Sequence, residues 1–475
     1  MSATNDRGLW SRKPITEADD HHLTRSLGPL SIIAIGIGAI VGAGIFVLTG
    51  TAAAQYAGPA IMLSFLLAAI ACALVGLSYA ELASFLPVSG SAYAYAYAAI
   101  GELPAWIIGW DLMLEYAMGA ATVASGWSGY VDSLLQSLGI HLPPALTAAP
   151  FSAPGAIFNL PAAAIVLLLT AGLVMGTRNS SRFNNVMVCL KLAVVLAFIA
   201  LGAFHVDSSN WHPLIPANTG EFGHFGWSGI LRGASVVFFA FIGFDAVSTT
   251  AQEALRPQRD VPVGILGSLA ICTLLYIAVS AVLTGLVPFA QLDVPDPIAK
   301  GVDVIGIAWF AGLIKLAALI GLTTVILVLL FGQARILFAM AGDGLLPPLF
   351  ARVHPTLGTP YRSQLIIGAV VAALAGLVPI GILGEMVSIG TLFAFILVCI
   401  AVIHLRRTQP AQPRPFRAPA VPYLPGLGIA FCLLLMLGLP LLTWVRLVVW
   451  LAIGLAVYAA YGRHHSAVRN GASPR

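Results

Sequence analysis

The chain has 475 residues, of which 59% are hydrophobic and 9% charged, with a formal net charge of +4. An average soluble domain carries about 25% charged residues, and a soluble fold of this length needs that charge to cover its surface. The composition excludes a soluble enzyme, a nucleic-acid binder and a disordered chain, and predicts an integral membrane protein embedded in the lipid bilayer.

In chain order, residues 1–27 read as a polar, cytoplasmic tail. The first apolar stretch begins near Ser26 and runs too long for the core of a cleavable signal peptide. Ser26 to Ala80 contains no Asp, Glu, Lys or Arg, enough for two spans of about 20 residues each. Apolar segments then recur. The predicted spans are 28–51, 59–86, 89–130, 157–177, 183–205 and 227–252, followed by 262–287, 303–340, 361–378, 383–404, 423–440 and 442–462. The third and eighth are long, and breaks are predicted near Gly101–Pro104 and at Gly321. All are continuously apolar rather than alternating, which excludes a transmembrane barrel.

The positive charges orient this array. With both ends in the cytoplasm, 17 of the 23 basic residues fall in inside segments, Lys300 being the clear exception. An odd number of spans would put one basic tail outside. Residues 463–475 form the second cytoplasmic tail. The five cysteines (72, 189, 272, 399 and 432) all lie in apolar segments, without metal-ligand spacing. They read as apolar fillers, so no disulfide-linked subunit is expected.

The first span contains glycines at 36, 38, 42 and 44. Glycine weakens a helix by about 1 kcal/mol relative to alanine, so this cluster invites a break. It equally allows close packing, since Gly38 and Gly42 form a GxxxG. The sixth span reads Phe238-Phe-Ala-Phe-Ile-Gly-Phe-Asp245, with Gly243 at its centre. Paired interrupted helices in corresponding positions of two halves point to a transporter's solute site. Half-helix N-termini suit a carboxylate, while unwound carbonyls suit an ammonium. Together they fit an α-amino acid.

Ionisable residues inside the membrane are functional candidates by default. Lys191 lies one and a half to two turns into the fifth span. It either snorkels to the interface or is a buried amine that binds and releases a proton, replacing a sodium ion while charged. Asp111 and Glu115 share a helix face. They either pair by hydrogen bonding, or Glu115 lines the pocket and meets a substrate side chain. Asp245 either caps the second half of its span or carries a proton. Glu81 reads as a cytoplasmic gate or packing residue, and Arg335 and Glu385 as candidates for inner ion pairs. In 253–262, Pro262 is placed at a helix start. Its charges either pair with Arg335, Arg352 or Glu81, or are solvated.

These motifs together resemble the amino acid–polyamine–organocation (APC) superfamily, in particular its cationic amino acid transporter-like branch. They are Leu23-Thr-Arg-Ser-Leu-Gly28, Gly42-Ala-Gly-Ile-Phe46, Tyr79-Ala-Glu-Leu-Ala83 and Pro87-Val-Ser-Gly-Ser-Ala-Tyr-Ala-Tyr95. Gly109-Trp-Asp-Leu-Met-Leu-Glu-Tyr116, Phe238 to Asp245, Pro257-Gln-Arg-Asp-Val-Pro262 and Gly332-Gln-Ala-Arg-Ile-Leu-Phe-Ala-Met340 follow. The resemblance implies an all-α membrane fold of 12 helices. Two inverted five-helix repeats (28–205 and 227–404) would be followed by two C-terminal helices (423–462). It implies alternating access and assigns roles by position. Backbone amides at Ala43 and Gly44, in the Gly42 motif, would hold the substrate carboxylate. Carbonyls of Ile40, Phe239 and Ile242 would hold its ammonium, and Phe239 would gate the site. Lys191 matches the lysine of proton-coupled relatives that occupies the usual sodium site. Ala43 replaces a common serine, so its hydroxyl contact is absent.

The expected activity is import of L-amino acids with protons at the cell membrane. A sodium-coupled symporter or an exchanger is the alternative. No HExxH or GxSxG motif is present, His21 and His22 lie in the tail, and no enzyme activity, cofactor or metal is expected. Gly321, Thr323, Thr324 and the aromatic residues at 238–244 predict a mainly apolar pocket for a neutral amino acid. Glu115 keeps open a cationic Lys or Arg substrate.

Overall fold

A computed structural model describes residues 9–13, 27–42, 44–85, 91–176, 181–245, 247–248, 254–355 and 359–470. Their regular structure is helical, with no β-strand among the described residues; an isolated bridge joins Leu27 to Ala254. The principal helices are α1 (Pro29–Ile40), α2 (Ile61–Phe85), α3 (Ser91–Ala99), α4 (Glu102–Ser137), α5 (Leu160–Val174), α6 (Ser181–Gly202) and α7 (Gly226–Val237). They continue as α8 (Pro257–Leu286), α9 (Pro297–Ile305), α10 (Ala308–Gly342), α11 (Tyr361–Leu377), α12 (Ile380–Thr408), α13 (Tyr423–Gly438) and α14 (Leu441–Val457).

Six helical stretches among the described residues are long and apolar enough to cross a membrane: Gly44–Ser84, Met187–His205, Pro257–Leu286, Trp309–Gly342, Ile380–Thr408 and Leu441–His465. Their outward faces carry side chains suited to lipid, such as Leu274 and Trp309, 69% and 71% exposed. The long α4 is the central post, packed chiefly on α10 and α12; α8 packs on α1 and α2.

Glycine determines where several helices stop. The chain turns between α3 and α4 at Gly101, whose φ of 140° suits glycine. The backbone of Trp10 lies 2.8 Å from where a Gly101 Cβ would be. The break predicted near Gly101 is therefore present, whereas α10 runs unbroken through Gly321. An isolated glycine is tolerated in a well-packed helix; here its missing side chain makes room for Lys191, whose Cε lies 3.1 Å from a Gly321 Cβ position.

Helix α8 begins five residues before the predicted Pro262. Pro257 occupies its first turn, and the Asp260 carboxylate accepts from Arg256 N at 3.1 Å. That carboxylate and the fixed φ of Pro257 make the stronger start signal, leaving Pro262 inside the helix.

Both tails fasten to one end of the bundle. Leu9 and Ser11 carbonyls accept from Leu103 and Glu102 amides, and Lys13 pairs with Asp343 at 2.6 Å. Buried Glu102 accepts from Tyr458 at 2.7 Å and from Ser466. At this tail-bearing end, Glu81 pairs with Arg406 at 2.8 Å and Arg414 at 3.3 Å, and accepts from the Ala418 amide. Glu81 is thus an ion-pair anchor. Asp260 stays local, 4.0 Å from Arg256, instead of joining Glu81 or Arg352. Glu253 lies outside the described residues. Glu385, at the start of α12 and so at the end away from the tails, pairs with Arg232 at 3.1 Å and Arg446 at 3.9 Å. Arg335 lies over the Phe331 ring, 4.3 Å from its centroid.

Candidate solute site at two interrupted helices

Helix α1 ends at Ile40, and its cap Val41 takes an extended conformation. Helical structure resumes as a π-turn at Gly44–Leu48. Ala43, the residue between, lies outside the described residues. The two glycine readings divide by position. Gly36 and Gly38 stay helical because Ser268 and Val188 occupy the space a side chain would need. Gly42 lies at the break, with Val325 3.1 Å from its Cβ position.

The second interruption faces the first. Helix α7 passes into a 3-10 turn, Phe238–Phe241, and Ile242 is extended at ψ 137°. Gly243 follows at φ 114°, with Ala39 O 2.8 Å from its Cβ position. Both the backbone conformation and that contact require glycine. A Cβ on Gly44 would overlap the Ala240 backbone. Two unwound segments therefore touch in the middle of apolar helices, where backbone polar groups are tolerated only if buried in protein or lining a cavity.

The structure brings the remaining candidates around this pair. Lys191, 4% exposed, does not reach an interface. Its Nζ donates to Gly38 O and Val41 O, each at 3.4 Å. These carbonyls belong to the end of α1, where orphan acceptors and the helix dipole favour a cation. Asp245 accepts from Gly243 N at 3.2 Å, a capping contact at the second break. Glu115, 3% exposed, faces Asp245, Asp111 and Thr391. Phe239 is 7% exposed, and its carbonyl accepts from Ile242 N at 3.2 Å. Neither oxygen of buried Asp111 has a hydrogen-bond partner among the described residues, so Asp111 and Glu115 are not a hydrogen-bonded pair.

Tyr276 of α8 was not among the sequence candidates. Its hydroxyl donates to Ile40 O at 2.8 Å and lies 2.9 Å from Ala240 O, touching both breaks. The Ile40 carbonyl assigned to a substrate ammonium already serves this hydroxyl, leaving it one further lone pair. The signal in the sequence was a tyrosine deep in an apolar span, since a buried phenol needs a partner. Trp127, also missed, donates to Thr323 at 3.0 Å.

Aromatic rings pack toward the tail-bearing end. Phe395 lies 5.1 Å from Phe244, 5.6 Å from Tyr79 and 5.7 Å from Phe238, between centroids. On the other side Tyr130 donates to Phe46 O at 2.7 Å. Packed groups thus flank the interruptions in both directions.

Apolar membrane-length helices enclosing two interrupted segments define a membrane transporter. Residues 27–461 match the amino acid permease family, and the chain belongs to it, within the APC superfamily. It is 51% identical over 447 residues to the branched-chain amino acid permease BcaP of Bacillus subtilis (strain 168), covering 94% of each chain. It is 48% identical over 462 residues to the methylthioribose transporter of the same organism, covering 96% of this chain and 98% of the relative. Human cationic amino acid transporter 4 is 32% identical over 574 residues, covering 96% and 90%. These relatives are transporters, and this protein is a transporter rather than an enzyme.

Proposed function

We propose that the protein imports neutral L-amino acids together with protons, by alternating access at the paired interruptions. The observation that carries the reading is their juxtaposition, fastened by Lys191 on one break and Tyr276 across both. The amides of Ala43 and Gly44 receive the carboxylate. Carbonyls of Ile40, Phe239 and Ile242 receive the ammonium, and Phe239 gates the site.

Lys191 supplies the coupling. Charged, it neutralises the carbonyl end of α1 and holds it against α6. When it releases its proton, those contacts weaken and α1 is free to move. An amine in this position also fills the place a sodium ion would need, which favours protons over the sodium alternative. Asp245 is the second proton group of the reading.

In the corresponding topology, twelve spans form two inverted five-helix repeats and a C-terminal pair in the cell membrane. Both tails are then cytoplasmic, in keeping with the distribution of arginines.

The apolar neighbours of the breaks favour a neutral side chain, and the likeness to a branched-chain permease agrees with that. The methylthioribose relative supports a second reading, a neutral solute with neither carboxylate nor ammonium. Counterflow into proteoliposomes separates them. Labelled leucine should exchange against unlabelled valine, leucine or isoleucine, and weakly against arginine or methylthioribose. Exchange of labelled arginine with no exchange of labelled leucine would establish the cationic alternative, with Glu115 as its partner. Exchange of labelled methylthioribose with no exchange of labelled leucine or arginine would overturn amino acid transport.

A further inference from the structure

Away from the interruptions, an open groove of about 600 Å3 runs along the start of α8. Gln258, Arg259, Pro262, Val263, Leu266 and Gly267 form one wall, and Pro415 and Phe416 of the α12–α13 connection form the other. From Gln258 to Gly267 the helix rises about 14 Å, long enough to run from headgroup depth into hydrocarbon. Its polar residues, Gln258 and Arg259, lie at the start of the helix and the apolar ones further along it.

Both walls are fixed. Phe416 is held by Ser84, which exchanges hydrogen bonds with its backbone at 3.3 and 3.4 Å. Two residues on, Ala418 N donates to Glu81 at 2.8 Å. On the other wall, Asp260 caps the start of α8.

None of the lining residues is acidic. Arg259 and Arg417 are exposed, and neither forms an ion pair with a described residue. Of the carboxylates among the described residues, Glu81 is committed to Arg406 and Arg414, and Asp260 to Arg256. The groove thus has one arginine, Arg259, in its wall, a second exposed arginine, Arg417, next to Phe416 in the chain, and otherwise mainly apolar lining.

We infer that this groove seats one acidic glycerophospholipid, its phosphate between Arg259 and Arg417 and an acyl chain along Val263, Leu266 and Phe416. Basic pockets at the cytoplasmic side of spanning helices suit such headgroups. A zwitterionic lipid would bring its own cation toward the two guanidinium groups. The inference rests on the membrane-embedded reading and not on the transport reading, so its test is binding rather than uptake.

Purified full-length protein is delipidated and titrated with phosphatidylglycerol, phosphatidylcholine or inorganic phosphate, with retained lipid read by native mass spectrometry and melting read in parallel. Phosphatidylglycerol should be retained and raise the melting midpoint; phosphatidylcholine and phosphate should not. Each of Arg259→Gln and Arg417→Gln should weaken retention about fivefold. Val263→Trp, which fills the groove and leaves both arginines intact, should weaken it as well, while Arg352→Gln should leave it unchanged. Equal retention of the two lipids, stabilisation by phosphate alone, or full retention in both the double arginine variant and Val263→Trp would overturn the assignment.

Discussion

The Lys191 ammonium lies 3.4 Å from the carbonyl oxygen of Val41, the residue that caps α1. A second carbonyl, from Gly38, lies equally close. The amine stands where a helix exposes unpaired acceptors, and α6 is tied to the interruption through it. A cation here stabilises the unwound segment, and in the proposed coupling a change in its charge is felt at the candidate solute site.

The second interruption should be intolerant of any side chain at Gly243. An L-residue at φ 114° costs about 1–2 kcal/mol in the left-handed region, and the Ala39 carbonyl contact adds to it. Gly243→Ala should lower the melting midpoint in detergent and abolish counterflow. Unchanged counterflow would mean that this bend is not part of the site.

Tyr276→Phe tests whether the two breaks act as one unit. It removes the hydroxyl shared by Ile40 and Ala240. Leaving buried acceptors unpaired should destabilise the protein by about 1–3 kcal/mol. Counterflow should slow together with the loss in melting temperature. A variant with wild-type melting and transport would reduce Tyr276 to packing.

Glu81 is 1% exposed and faces Arg414, whose side chain is 2% exposed. Glu81→Gln strands a buried guanidinium, and breaking such a pair costs about 3–5 kcal/mol. Thermal melting of Glu81→Gln beside Glu385→Gln provides the comparison, because Glu385 and its partners are more exposed. The larger loss should be at Glu81.

Asp296, at the start of α9 and outside the spanning helices, has its carboxyl pushed up to about 6 by burial. Lys315 and Ser133 oppose that shift, and Asp303 adds to it. A raised carboxyl pKa means the folded protein holds the proton more tightly than the unfolded chain. The resulting stability is fully present below the ordinary value of 3.8 and is lost as pH rises through about 6. Between pH 4 and 7, melting of the wild type should fall more steeply than melting of Asp296→Asn. Parallel curves would contradict this.

Much of the frame was legible because lipid is a demanding solvent. Long uncharged stretches can only be buried, and scarce charges such as Lys191 stand out against them. The bend at Gly243 was visible for the same reason, since glycine beside an intramembrane Asp245 has few structural uses. Three features were hidden. Tyr276 looked like one more aromatic in an apolar helix, because its role depends on two carbonyls more than 30 residues away in the chain. Gly321 resembled the breaking glycines, yet its function is to admit the Lys191 side chain, a contact between distant helices. The partners of Glu385, Arg232 and Arg446, were not visible because they lie on helices remote in sequence.

The coupling role of Lys191 is tested most directly by uptake of labelled leucine into proteoliposomes with an imposed inward proton gradient. The wild type should be stimulated several-fold by the gradient, with or without sodium. Lys191→Ala should keep counterflow exchange and lose the stimulation. Equal stimulation of wild type and Lys191→Ala, or stimulation of the wild type by a sodium gradient alone, would contradict the account.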